Sequence, residues 1–337
     1  MAIKGLKIDE KYLAPYDLKE DALHPYPDED YYEWWCFDGK YDNGYSTVLT
    51  LHWRNGFIKP HLTTLQMYIY SPDGVKYEGL AAINPKKYTV SASTEKCDVV
   101  LGDSFCRLLD DGRYHVKMQA KQIAVDLMYT NTIPPIKRGP AFFPAPEDTH
   151  GIYHGWVIGI PRGTVEGTLT IDGKVIPVKG EGYHDHNWGN QNMGEGLRGW
   201  SWGRLFDDKY TIIYSWIVPM VEGTSNWPEL YICRGEQPIV VTPELNFKVT
   251  EAEFDPETKK DIPMGISLSG RQGDIKFKID LKKKEIKQSG LMQKVEGLPQ
   301  YYFWRFIDNY TADIEGKDFH DTVKGTTIRE YMLLNIE

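Results

Sequence analysis

Residues 35–51 read WCFDGKYDNGYSTVLTL, and residues 200–216 read WSWGRLFDDKYTIIYSW. The two stretches align without gaps, with Trp35 matching Trp200, and each reads as a strand, an acidic turn and a second strand. Two ordinary hairpins can resemble each other by chance, because hairpin patterns are degenerate. An internal repeat would instead mean two similar β-domains in tandem, and this is the preferred interpretation.

A second, shorter match supports the repeat. Residues 178–180 (VKG) close the first half of the chain, and residues 323–325 (VKG) close the second half. We place the domain boundary in the glycine-rich loop 189–199, which predicts an N-terminal domain of residues 1–190 and a C-terminal domain of residues 191–337. Each half is then close to the size of a lipocalin-like barrel of about eight to ten strands.

The rest of the chain carries few helix-period signals, while short aromatic and β-branched runs bounded by turn residues recur throughout. Turn signatures such as Asp42-Asn43-Gly44 and Asp172-Gly173 each separate two strand-like runs. We therefore predict an all-β fold of two tandem lipocalin-like (calycin-like) β-barrel domains with a few short helices.

The chain has 337 residues with 39 basic against 48 acidic side chains, a formal net charge of −9. This balance argues against a protein that binds nucleic-acid phosphates. The aromatic fraction of 13% favours an apolar pocket, so we expect a hydrophobic small-molecule substrate. The lysine-rich segment 282–294 is typical of a solvated edge strand, and it would also permit transient membrane contact. The sequence gives no prediction of an oligomeric state.

The first residues, MAIKGLKIDEKYLAPYD, lack the apolar run of a signal peptide, and no other stretch approaches the length of a transmembrane helix. We therefore expect a cytoplasmic protein. The four cysteines show no Cys-x-x-Cys spacing, which favours reduced, structural thiols. The sequence contains no Rossmann fingerprint, phosphate-binding loop or Gly-x-Ser-x-Gly elbow, so it does not support a nucleotide-dependent enzyme or a serine hydrolase.

Prolines make residues 132–148 (TIPPIKRGPAFFPAPED) a long stiff loop, because proline is excluded from helix interiors and central strands. Phe142 and Phe143 lie at the middle of this loop. We expect the loop to form a lid over a pocket or to plug the end of a barrel with these two rings.

Residues 181–189 (EGYHDHNWG) concentrate polar and aromatic side chains in one predicted strand. Because side chains alternate along a strand, one face carries Tyr183, Asp185 and Asn187, and the other carries His184, His186 and Trp188. In the strand-like segment 150–160 (HGIYHGWVIGI), the same alternation places His154 and Trp156 side by side, and glycines thin out the opposite face.

Three motifs combine in this order: Tyr-Tyr-Glu-Trp-Trp at residues 31–35, His-x-Trp at residues 154–156, and Gly-Tyr-x-Asp-x-Asn-x-Gly within residues 182–189. Together they resemble the carotenoid 1,2-hydratase (hydroxyneurosporene synthase) and AttH-like superfamily, which also includes lipocalin-like Diels-Alderases and cyclases. The resemblance implies two lipocalin-like domains with a ligand at or near their junction. It also implies a catalytic set, which falls on His154, Trp156, Tyr183 and Asp185.

This set suits acid catalysis on an alkene. Protonation of an unactivated C=C bond requires a neutral carboxylic acid, and burial among aromatic rings favours the neutral form of Asp185. The face of Trp156 can stabilise a carbocation, and Tyr183 or His154 can hold the water that captures it. We expect further rings to bind the substrate, namely Trp34, Trp188, Trp202 and Phe143. The alternative for each residue is structural: a turn cap for Asp185 and core packing for the rings.

Three classes of function stay open. The first is a cofactor-free hydratase or cyclase, a lyase or an isomerase, that protonates a C=C bond of an isoprenoid or polyene-like hydrophobic substrate. The second is a Diels-Alderase-like pericyclase of natural-product biosynthesis, and the third is a non-enzymatic carrier of a hydrophobic ligand. Asp185→Asn should abolish the first activity, reduce the second modestly and leave binding by a carrier nearly intact.

A metal site is the remaining alternative. His184 and His186 share one strand face, and His150 and His154 repeat the pairing at a four-residue step. The resembled hydratases use no metal, and these segments do not meet the requirement for a carboxylate ligand beside the histidines. We therefore expect no metal and no other cofactor.

Overall fold

A computed structural model describes residues 13–27, 31–57, 62–137, 142–143, 153–190, 193–220, 227–291 and 300–334. The chain divides into two compact units, one formed by Ala14–Asn192 and one that contains Met193–Glu337. Each unit is built on one large sheet of antiparallel strands. No helix within the described residues has the length and apolar character that crossing a membrane requires.

The first unit opens with a short 3-10 helix, Leu18–Asp21, whose N-cap Asp17 accepts a hydrogen bond from the Lys19 backbone N–H. Its strands are β1 Tyr32–Tyr41, β2 Ser46–Arg54, β3 Thr64–Tyr70, β4 Lys76–Ala82, β5 Val90–Ala92, β6 Asp98–Leu101, β7 Ser104–Leu108, β8 Tyr114–Ala120, β9 Ile123–Asn131, β10 Phe142–Phe143, β11 His154–Ile171 and β12 Lys174–Gly189. They form a sheet in the order β4-β3-β2-β1-β12-β11-β9-β8-β7-β6-β5, and β10 pairs with β11.

The second unit begins with the short helix α1, Met193–Gly196. Its strands are β13 Leu197–Phe206, β14 Tyr210–Pro219, β15 Trp227–Arg234, β16 Gln237–Thr242, β17 Asn246–Asp255, β18 Lys260–Gln272, β19 Ile275–Leu291, β20 Tyr301–Gly316 and β21 Phe319–Leu334. The sheet order is β16-β15-β14-β13-β21-β20-β19-β18-β17.

The two sheets share one topology. In each, the first strand lies between the second strand and the last strand of its unit, and the order continues outward in the same way on both sides. The VKG matches fall on the equivalent last strands, β12 and β21. The prediction of an all-β fold with two tandem lipocalin-like units is confirmed.

The gapless match places the second strands of the two hairpins in phase, with Leu49 and Tyr214 both in a core, but it assigns the wrong face of β13 to the core. Trp35 and Phe37 are fully buried in the core of the first unit. In the second unit the core takes Leu205 from β13, so Trp200 and Trp202 point to the opposite face of that strand. A shift of one residue exchanges the two faces of a strand, and the sequence match does not detect it.

Strand β1 defines two faces of the first sheet. Trp35 and Phe37 point to the inner face, which carries the core cluster, and Trp34 and Cys36 point to the outer face. Directly paired residues of antiparallel strands share a face, so residues 180–189 of β12 can be assigned through their partners on β1. This register separates the polar residues of β12 into two groups with different surroundings.

Glycines on β11 allow close packing on the inner face, as the sequence predicts. A Cβ atom on Gly155 would clash with the indole of Trp188. A Cβ atom on Gly159 would lie 2.7 Å from Cδ2 of His184, which is too close for an ordinary contact. The absence of these side chains therefore makes room for the large rings of β12.

Candidate active site

Three neighbouring strands bring the predicted catalytic residues together. Strand β12 pairs with β1 on one side and with β11 on the other, although β11 follows β1 by more than a hundred residues. Asp185 lies opposite Cys36, and Asn187 lies opposite both Trp34 and Trp156. All of these side chains belong to the outer face.

The Asp185 carboxylate is the centre of this group. It accepts hydrogen bonds from Trp156 Nε1 (3.0 Å) and the Tyr183 hydroxyl (2.9 Å) at Oδ2, and from Asn187 Nδ2 (3.0 Å) at Oδ1. Asp185 is only 8% exposed. Burial and hydrogen bonding act on this carboxyl in opposite directions, because burial disfavours the ionised form and the donors stabilise it.

The donors themselves keep their protons. An indole N–H has no acceptor function, so Trp156 can only donate to Asp185. Burial, with a further contribution from the Asp185 charge, raises the pKa of Tyr183 well above its ordinary value. Tyr183 is therefore a hydroxyl donor at physiological pH.

His154 extends the outer-face group through Tyr32. A hydrogen bond of 2.8 Å joins His154 Nδ1 and the Tyr32 hydroxyl across β12. The residue between them is Gly189, where a Cβ atom would clash with the Tyr32 ring. Burial lowers the pKa of His154 to about 4, against a smaller opposing effect of Asn187, so the imidazole is neutral at pH 7.

Trp34 forms an aromatic wall beside this group. Its ring centroid lies 6.2 Å from that of His154, 5.4 Å from that of Tyr32 and 5.9 Å from that of His52. Trp34 is therefore a predicted substrate-binding ring that lies on the same face as Asp185, beside His154, Tyr32 and His52.

His52 is a member of the outer face that the sequence analysis missed. It lies opposite Trp34 on β2 and is 1% exposed. Neither ring nitrogen has a hydrogen-bond partner among the described residues, and the nearby Gln66 does not meet either nitrogen with hydrogen-bond geometry. Burial lowers the pKa of His52 to about 4. A neutral, buried imidazole of this kind can bind a polar group of a ligand.

Of the other predicted substrate-binding residues, Trp188 is the one whose side chain is described within the first unit, and it lies on the opposite face of the sheet from Asp185. Trp188 points to the inner face, where it stacks on His24 with ring centroids 3.9 Å apart. The backbone of Phe143 pairs with His154, and the Phe143 side chain lies outside the described residues. Trp202 belongs to the second unit and is half-buried there. The assignments of Phe143 and Trp202 stay predictions.

The described histidines of the sequence pattern do not share one face of the sheet. His184 and His186 point to the inner face with Phe37 and Trp35, whereas His154 points to the outer face, and His150 lies outside the described residues. The four-histidine arrangement considered from the sequence is therefore wrong for the described residues, because it combined side chains from opposite faces.

The inner-face histidines instead meet carboxylates from distant parts of the chain. His184 Nε2 lies 3.0 and 3.1 Å from the two oxygens of Asp21, and the Tyr114 hydroxyl donates to Asp21 at 2.7 Å. Burial lowers the pKa of His184, but the Asp21 charge and hydrogen bond outweigh it, so the pKa is raised overall. The raised pKa favours protonated His184 beside Asp21, and no local sequence signal indicates this buried pair.

Solved structures share this fold over nearly the whole chain. An AttH protein from Nitrosomonas europaea matches with a TM-score of 0.63 and 18% identity, covering 98% of this chain and 97% of the other. CghA with Sch210972 matches with a TM-score of 0.70 and 14% identity, covering 98% of both chains. Kievitone hydratase from Nectria haematococca matches with a TM-score of 0.61 and 15% identity, covering 95% and 93%. At these identities the likeness shows the fold.

A curated relative shares a shorter segment. Hydroxyneurosporene dehydrogenase from Chlorobaculum tepidum is 37% identical over 82 residues, which are 23% of this chain and 21% of the relative. The AttH-like family model matches residues 75–302, more than half of the sequence, which confirms the resemblance predicted from the motifs. The chain belongs to the AttH-like family.

Proposed function

We propose that the protein is a hydratase that adds water across a C=C bond of an isoprenoid-like hydrophobic substrate, with Asp185 as the proton donor. The observation that carries the proposal is the buried Asp185 carboxyl, held by Trp156, Tyr183 and Asn187. A structural neighbour named as a hydratase supports this class of reaction, and the partial relative named hydroxyneurosporene dehydrogenase supports only the class of substrate.

The first step uses the two opposing influences on Asp185. Burial favours the protonated acid before reaction, and a hydrophobic substrate that covers the site strengthens this effect. Once the acid has protonated the alkene carbon, the three donors stabilise the carboxylate that remains. Each hydrogen bond to a charged group contributes about 1.5–3 kcal/mol. The same contacts therefore stabilise the transition state more than the ground state.

The second step is capture of the tertiary carbocation by water. The face of a nearby indole, from Trp34 or Trp156, can stabilise such a cation by about 1–2 kcal/mol in a desolvated site. The neutral imidazole of His154 can orient the water through its hydrogen-bonding nitrogens. The proton that the water loses returns to the Asp185 carboxylate, so the acid is restored and the sum of the steps is alkene plus water to alcohol.

A second candidate is a cyclase or a Diels-Alderase-like pericyclase. The hydrogen bonds to Asp185 also hold the Trp156 and Tyr183 side chains in place. A site that folds its substrate without transferring a proton requires such fixed side chains. In a cyclase an internal double bond replaces water as the nucleophile. In a pericyclase the site only holds the polyene in a reactive conformation.

Isotope labelling distinguishes these candidates. Mass spectrometry of an organic extract of the purified protein identifies any retained ligand. This ligand and a panel of acyclic and aryl-linked isoprenoids are then tested as substrates. With a converted compound, hydration in D₂O and H₂¹⁸O introduces one deuterium and one ¹⁸O. Cyclisation introduces deuterium only, and a pericyclic reaction introduces neither. A carrier returns its ligand unchanged, which would overturn the proposal.

The variant Asp185→Asn tests the role of the acid. It should abolish hydration and deuterium uptake while the protein still binds the ligand. The matched control is Asp126→Asn, because Asp126 is an exposed aspartate that pairs with His115. Full hydration by the Asp185→Asn variant would show that another group donates the proton.

A further inference from the structure

A second cluster of side chains, which carry potential metal-ligand atoms, lies on the inner face of the first sheet, away from Asp185. It consists of His24, Glu33 and His186, whose ligand atoms all lie within 4.8 Å of one another. The side chains of Glu33 and His186 are completely buried, and that of His24 is 28% exposed. The cluster joins the chain before β1 to strands β1 and β12.

The hydrogen bonds of His186 place its Nε2 atom opposite an oxygen of Glu33. His186 Nδ1 lies 3.2 Å from the backbone carbonyl oxygen of Glu20, and a carbonyl oxygen can only accept, so Nδ1 carries the hydrogen. In the neutral ring Nε2 then presents a lone pair, and it lies 2.9 Å from Glu33 Oε1. Two lone pairs at this distance require either a hydrogen atom between them, carried by Glu33 or by His186, or a metal ion.

One of the two oxygens of the Glu33 carboxyl makes all of its hydrogen bonds to the described residues. Its Oε1 lies 2.8 Å from the backbone N of His24, 3.2 Å from His24 Nδ1 and 2.9 Å from His186 Nε2. Its Oε2 is buried and has no hydrogen-bond partner among the described residues. A buried carboxylate oxygen without a partner is costly, and a second bond to a metal ion would satisfy it.

We infer that His24, Glu33 and His186 form a binding site for a divalent first-row transition metal ion such as Zn²⁺. Two imidazole nitrogens and one carboxylate are an established ligand set for these ions, and they leave positions for water. The nitrogen-to-oxygen distances of 2.9 and 3.2 Å need to widen by only a few tenths of an ångström around an ion bound at about 2.0–2.2 Å.

The surroundings of the cluster support this assignment. The hydrogen bond from His186 Nδ1 to the Glu20 carbonyl is the outer contact that fixes the tautomer and orientation of a metal-bound histidine. Both rings are also held by stacking, His186 on Trp35 at 4.3 Å and His24 on Trp188 at 3.9 Å between centroids. The partly exposed His24 provides a route of entry from solvent.

Titration of the full chain with Zn²⁺ tests the site. The purified protein is treated with EDTA, dialysed and titrated in a calorimeter, and its melting temperature is followed as Zn²⁺ is added. We expect saturable binding of one equivalent and a melting temperature that rises with the Zn²⁺ concentration. The exposed His320 supplies the control His320→Ala, which should leave both results unchanged.

Two ligand variants decide between a metal and a proton. Glu33→Gln keeps the shape of the side chain, and His24→Ala removes only the partly exposed ligand, so at least one of them should keep the native circular dichroism spectrum. Each should weaken Zn²⁺ binding by more than about 10-fold. Absence of saturable binding to the wild-type protein, or equal affinity in a folded ligand variant, would show that a proton alone occupies the site.

Discussion

Trp156 and Asp185 lie 29 residues apart in the chain, and the indole N–H of Trp156 donates a hydrogen bond of 3.0 Å to Asp185 Oδ2. This contact gives a tryptophan a polar function in addition to its apolar surface. Because β11 and β12 are neighbours and the two side chains lie on one face, the bond depends on strand register and not on loop conformation.

Trp156→Phe should therefore reduce kcat of the proposed reaction by about 10- to 100-fold, because it removes one charge-assisted hydrogen bond and keeps an aromatic ring. Steady-state kinetics on the converted substrate measure the effect. Trp53→Phe is the control, since it also deletes an indole hydrogen bond, to Tyr31, on a different part of the sheet. Equal rates for wild type and Trp156→Phe would exclude a role for the indole N–H.

His52→Phe should make the protein more stable and a poorer binder of its substrate. The substitution removes two buried nitrogens that have no hydrogen-bond partner in the described structure, and the new ring can keep the contacts with Trp34 and Phe57. We expect the free energy of unfolding to increase by about 1–3 kcal/mol. Urea denaturation measures this, and KM should rise because a polar group of the substrate loses its partner. A less stable variant with unchanged KM would contradict this role for His52.

His52 and His154 should each lower the stability of the protein as the pH falls from about 6.5 to about 4. Burial lowers the pKa of His52 and of His154 to about 4, whereas histidines of the unfolded chain titrate near 6.5. In that window the unfolded chain binds more protons, so each histidine contributes a loss of about 1.4 kcal/mol of unfolding free energy per pH unit of acidification.

Urea denaturation at several pH values checks this dependence. His52→Phe should reduce the slope by the contribution of one histidine, about 1.4 kcal/mol per pH unit. His320→Phe changes an exposed histidine and should leave the slope as it is in the wild type. If the slope of the His52→Phe variant equals that of the wild type, His52 is not buried in the neutral form.

Strand alternation is the part of the site that the sequence could predict. The period of two along β12 places Tyr183, Asp185 and Asn187 on one face, and the structure shows that arrangement because the strand is regular there. The same rule already separated Trp188 from Asp185. Trp188 was assigned to the substrate pocket because it is aromatic, although its side chain points away from Asp185.

Contacts between distant segments could not be predicted in this way. Asp21 precedes its partner His184 by 163 residues, and Glu33 precedes His186 by 153, so no spacing in the sequence relates them. The carboxylate that the histidine pattern lacked lies in the Tyr-Tyr-Glu-Trp-Trp motif, and its relation to β12 appears only once β1 and β12 are paired. His52 escaped notice because an isolated histidine in a strand gives no signal of burial or of missing partners.

Asp21→Asn should destabilise the first unit strongly. The substitution removes the negative charge beside His184, whose side chain is completely buried, and breaking one member of a buried ion pair costs about 3–5 kcal/mol. Urea denaturation of the full chain should show this loss, and the double variant Asp21→Asn/His184→Gln should recover part of it because the unpaired charge is gone. Asp111→Asn is the control, since Asp111 pairs with Arg113 at the surface and should change stability little. A loss as small as that of the control would show that the His184 and Asp21 side chains are not ionised together.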